Sequence, residues 1–124
     1  GDAMSQFKKD ISKKLADAVP GVRIVPNVND GQYPAVVFSF RNGQREAFYK
    51  DSFGLAEAEL TVSIFADNYS KQTELAEYIK TDFHAFNGMV GQTRVLRSEV
   101  TNSFETTLDN GKIYQEIITI RILM

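Results

Sequence analysis

The sequence predicts an α+β fold, a mostly antiparallel sheet of about four to five strands with two helices packed on one face. Three observations carry this. Even positions from 56 to 66 are Ala56, Ala58, Leu60, Val62, Ile64 and Ala66, while Glu57, Glu59, Thr61 and Ser63 lie between them. A period of two puts the apolar groups on one face of a strand and the polar groups on the other. Past Asp67-Asn68-Tyr69-Ser70 the period changes: Leu75, Ile79 and Phe83 recur every fourth residue, with Ala76 and Phe86 beside them. That is the inward stripe of an amphipathic helix, which must cover the apolar face of the strand before it. Further alternating runs on both sides complete the sheet.

Taken in order, residues 5–19 read as a first helix, with Phe7, Ile11 and Leu15 inward and Lys8, Lys9, Lys13 and Lys14 over much of the rest. The lysines read as a solvated outer face, since the whole chain carries no basic excess. Pro20-Gly21 ends the helix, and Val22-Arg23-Ile24-Val25 is a short strand. A turn-rich loop runs to Pro34, and residues 35–40 form the next strand, with Val36, Phe38 and Phe40 on one face. Residues 44–53 mix Arg45, Glu46, Lys50 and Asp51 with Phe48, Tyr49 and Phe53, and read as a long hairpin arm or loop. After the central strand comes the second helix, its stripe reaching Phe86 and Gly88 standing where a left-handed cap is expected. Residues 92–100 are a further strand, 101–111 a second polar connection ending in the Asp109-Asn110-Gly111 turn, and 112–124 the last strand. On that last strand Tyr114, Ile118, Ile120, Ile122 and Met124 share one face. Ile113, Ile117 and Leu123 on the other imply burial on both sides or contact with a neighbouring subunit.

The 124 residues form one domain over 4–124, and Gly1-Asp2-Ala3 ahead of Met4 reads as a cloning remnant. A formal net charge of -2 supplies no basic field to recruit nucleic acid. The absence of cysteine excludes disulfides, thiolate metal sites and cysteine nucleophiles together. No apolar run approaches the roughly 20 residues of a membrane helix, so no membrane partner is expected.

The residues of catalysis are sparse. His84 is the one histidine, so a two-His metal site or a His pair cannot form within a single chain, and it reads as a surface or boundary residue. Glu57 and Glu59 project from one strand face; cross-strand pairing with Arg41, Arg94, Arg97 or Arg121 accounts for them better than acid–base work. No phosphate-binding glycine loop and no Gly-x-Ser-x-Gly elbow occurs. Neither a cofactor nor a metal is expected, and the chain reads as a non-enzyme. An enzyme would need a site assembled from several subunits, and a small-ligand-binding or regulatory α+β domain is the alternative.

Across nearly its whole length the chain resembles the tail-completion proteins of bacteriophages and prophages, related in fold to tail terminators. The resemblance is carried by Val22-Arg23-Ile24-Val25-Pro26 followed by Tyr33-Pro34-Ala35-Val36-Val37-Phe38. It continues through Gly54-Leu55-Ala56-Glu57-Ala58-Glu59, Val62-Ser63-Ile64-Phe65-Ala66 and Asp67-Asn68-Tyr69, then Ala76-Glu77, and closes on Asp109-Asn110-Gly111-Lys112-Ile113-Tyr114. It implies a structural protein of the virion, located at the head-proximal end of the tail and assembled in the bacterial host. Its partners would be further copies of itself in a ring, commonly a hexamer, together with the tail tube protein and the head–tail connector protein. DNA would pass through the ring without sequence-specific binding. Subunit contacts are expected from the arm, through Arg45, Phe48, Tyr49 and Phe53, and from the second connection, through Phe104 and Asp109.

Overall fold

In the computed structural model, which describes residues 2–27, 31–41, 49–50 and 56–124, the central alternation becomes β4 (Ala56–Ala66). Ala58, Leu60, Val62, Ile64 and Ala66 are buried, while Glu57, Glu59, Thr61 and Ser63 are half-exposed on the opposite face. β7 (Ile113–Leu123) lies antiparallel along one edge, setting Leu60 opposite Ile120 and Val62 opposite Ile118. β2 (Ala35–Phe40) lies antiparallel along the other edge. β3 (Tyr49–Lys50) continues that edge, with Tyr49 opposite Glu57.

β1 (Arg23–Pro26) joins the outside of β2 in parallel. Beyond β7 come β6 (Thr93–Leu108) and β5 (Phe86–Val90), both antiparallel to their neighbours. The order is β1-β2-β4-β7-β6-β5, with β3 beside β4. The mostly antiparallel sheet is as expected. The strand count is not: the described residues hold seven strands where about four to five were expected, and one pair is parallel.

Two sequence assignments are corrected. The connection expected over 101–111 is strand as far as Leu108, because β7 offers those residues a ladder partner along its whole length. The β6–β7 turn then contains Asp109, Asn110 and Gly111, all at positive φ, as the turn signal required. The second helix, α2 (Tyr69–Phe83), stops before Phe86. His84 is extended, Ala85 has φ 58°, and Phe86 starts β5, so Gly88 lies inside a strand and caps nothing.

α2 starts inside Asp67-Asn68-Tyr69-Ser70, where the period of the sequence changes. The Asn68 side-chain oxygen accepts the Lys71 N–H at 2.7 Å, satisfying one of the free donors of the first turn. Leu75, Ala76, Ile79 and Phe83 are buried from α2, and Phe7, Ile11, Leu15 and Val19 from α1 (Asp2–Ala18) or just past its end. Both helices join one core cluster with Val36, Phe38 and Phe40, with Ala58, Leu60, Val62 and Ile64 of β4, and with Ile118, Ile120 and Ile122, so both cover the same sheet face. The Phe7 and Phe40 rings meet at 5.7 Å. Each fully buried aliphatic side chain contributes about 1.5–3 kcal/mol of transfer free energy, which makes this layer the main source of stability.

A candidate assembly surface on the open sheet face

The face turned away from the helices is graded along the strands. At one end it is ionic. Arg121 on β7 stands opposite Glu59 of β4 and Glu99 of β6, and its Nε meets a Glu57 oxygen. Arg97 Nε bonds Glu99, and Arg41 Nη1 lies 3.5 Å from Glu59. The expected cross-strand pairing of Glu57 and Glu59 with arginine is therefore present. Solvent-accessible pairs of this kind contribute only about 0–1 kcal/mol each, so their bearing on stability is small.

Thr61 and Thr119, opposite one another, form the middle of the face. At the other end the face is apolar. Phe104 pairs with Ile117 and Leu108 with Ile113. Phe104 is 51% exposed and Leu108 40%, while Ile117 stays half-buried. Aromatic and aliphatic groups left open on a sheet are the composition of a partner surface. The alternation of apolar residues on both faces of the last strand was the sequence signal for it.

The second element of the surface is an open edge. β5 pairs with β6 only between Thr93 and Ser98. The next backbone donor, Val100 N–H, is taken by His84 Nδ1 at 3.1 Å. From Asn102 to Leu108 the outer edge of β6 has no strand partner among the described residues. On the helix side of this stretch, the Tyr69 hydroxyl donates to Glu105 at 3.4 Å and the Tyr69 ring packs edge-on to Tyr114 at 5.7 Å.

Of the residues expected at subunit contacts, Phe104 lies on the apolar end of the open face and Asp109 is exposed in the adjoining turn. Tyr49 is placed by its backbone in β3, at the opposite end of the molecule from the hairpin tip. Arg45, Phe48 and Phe53 lie outside the described residues.

One polar cluster was not foreseen. Glu116 sits on the helix-facing side of β7, 5% exposed. Lys80 Nζ lies 2.6 Å from one of its oxygens and Gln72 Nε2 donates to the other. The available signal was Glu116 itself, a carboxylate at an even position among Tyr114, Ile118, Ile120 and Ile122. Both partners come from α2, so the cluster ties that helix to β7. Both carboxylate oxygens are occupied by these two side chains, which gives the group a structural task.

Among the described residues, no three His, Cys, Asp or Glu side chains are grouped to hold a metal ion. None of the described helices is long and apolar enough to cross a membrane. A groove of about 320 Å³ runs between α1 and β5. Its lining is largely charged: Asp10, Lys13, Lys14, Asp17 and Asp82, with Lys14 Nζ 3.0 Å from Asp82 and stacked 3.7 Å over the Phe86 ring. That is not the apolar pocket with a few convergent polar groups that a small-ligand domain requires.

The fold matches a chain from a solved structure described as the virion of a native gene transfer agent particle. The TM-score is 0.64 at 11% sequence identity, over 94% of this chain and 89% of that one. At that identity the likeness is one of fold. No protein-family model and no curated protein matches the sequence.

Proposed function

We propose that this chain is a structural subunit of a phage-like particle, which completes or terminates the tail tube and joins it to the head as a member of a ring. The observation that carries the reading is the sheet face turned away from the helices, which leaves Phe104 and Leu108 exposed. It is apolar around Phe104 and Leu108 and ionic around Arg121, on a domain whose fold matches a virion component along almost all of its length. The resemblance of its segments to tail-completion proteins supports the finer assignment. Such a subunit works by shape and contact and performs no bond-making. Its partners are further copies of itself, the tail tube protein and the head–tail connector protein, and its place is the head-proximal end of the tail. With a net charge of -2 it can line a channel without gripping passing DNA, since phosphate contacts would retard transit.

The test is deletion of the gene from the parent phage or prophage, followed by negative-stain imaging of the particles. Overlong tails, or tails without heads, are expected, with recovery when the gene is supplied in trans. Particles of normal length and composition would overturn the assignment.

A further inference from the structure

We propose that the open edge of β6 pairs antiparallel with β1 of a second copy of this chain, so that one sheet continues from subunit to subunit around the ring. The inference rests on the ring reading above. Its basis is the register of the sheet, followed strand by strand.

Arg23, Ala35, Phe65, Gln115 and Thr106 form one row across five strands. Ile24 leads in the same way through Val36, Ile64 and Glu116 to Glu105, Val25 to Phe104, and Pro26 to Ser103. The end strand β1 thus lies at the height of residues 103–106, the part of β6 that β5 leaves uncovered. Directions agree as well. β1 runs parallel to β2, and three antiparallel steps then lead to β6, so β1 and β6 run in opposite senses. A copy rotated about an axis along the strands keeps its strand directions. It presents β1 to β6 antiparallel and at equal height, the arrangement that closes on itself without a rise.

The chemistry of the two edges fits this partner. Asn27 N–H donates to the Phe38 carbonyl, so odd-numbered groups point to β2 and the Ile24 N–H and C=O point away from it. Val25 and Phe104 share a row on the open face, so the join extends the apolar end of that face into the next subunit. Two β6 edges pairing about a two-fold axis centred on this stretch would instead bring Glu105 against Glu105, which disfavours a symmetric dimer. The short β1 with its Pro26 limits the join to a few bonds, which suits a specific contact and discourages promiscuous strand addition.

The chain has no cysteine, so paired cysteines report the contact directly. V25C is combined with F104C, and separately with T106C to cover a register two residues along. Each variant is checked by circular dichroism, assembled alone and with tail tubes, oxidised, and run on a non-reducing gel. The expected result is a ladder of covalent multimers from a double variant, ending at the ring number, with the single variants monomeric. Dimers from F104C or T106C alone would show β6 pairing with itself and overturn the inference. Rings seen by native mass spectrometry that form no ladder from either double variant would overturn it too, while leaving the ring reading standing. Failure of the unsubstituted protein to form rings, alone or with tubes, would remove that reading and this inference together.

Discussion

Glu116 is the residue whose surroundings contrast most with its own chemistry. An ionised carboxylate in an aliphatic layer is costly unless its charge is met, and Lys80 Nζ at 2.6 Å together with Gln72 meets it. Removing one partner is worse than removing both. Lys80→Met is expected to lower unfolding free energy by about 3–5 kcal/mol, because the buried charge is left without its cation. Lys80→Met combined with Glu116→Met is expected to cost clearly less than Lys80→Met alone, measured by urea denaturation. A double variant no more stable than Lys80→Met alone would show that the stranded Glu116 charge is not the source of the loss. At the start of α2, Asn68→Ala is expected to cost about 1 kcal/mol, through loss of the bond to Lys71 N–H.

Among the elements, the β6–β7 hairpin bears most on assembly, and two substitutions separate its folding from its docking. Gly111 has φ 82°, and a Cβ there would meet nothing within 4 Å. Gly111→Ala is therefore expected to cost about 1–2 kcal/mol through backbone conformation alone, with the hairpin retained. Phe104 is the opposite case. It is half in solvent, so Phe104→Asp is expected to change monomer stability by only about 0.5 kcal/mol. The same substitution puts a charge on the apolar end of the open face, and it is expected to abolish ring formation in light scattering with or without tail tubes. Assembly at wild-type levels would remove Phe104 from the interface.

At the scale of the whole molecule, two layers divide the work. The helix-covered face supplies stability through side chains such as Ile118, which is fully buried between β4 and the helices. Ile118→Ala is expected to cost about 2–5 kcal/mol, a large share of the roughly 5–15 kcal/mol available to a domain, and to lower soluble yield before any effect on assembly is seen. On the other face Ala35, Phe65 and Ile113 are buried, while its ion pairs are solvated and Phe104 and Leu108 remain exposed for partners. Substitutions on the two faces are therefore expected to sort into stability and assembly phenotypes, readable as thermal midpoint against particle morphology.

The amino-acid sequence by itself determined the apolar faces of β2 and β4, the inward stripe of both helices and the Asp109-Asn110-Gly111 turn. All of these are set by side-chain period or by local backbone preference, within a few residues of one another. It placed Phe104 and Asp109 among the contact candidates, but on a connection. Only the tertiary structure decided that residues 101–108 are strand, that Phe86 begins β5, and that the β5–β6 pairing ends at Ser98 and leaves an edge open at the height of β1. A polar, weakly alternating segment becomes a strand when a neighbour offers its ladder, and a free edge exists only where a neighbour ends. Both depend on pairings between residues far apart in the chain, which no local period encodes.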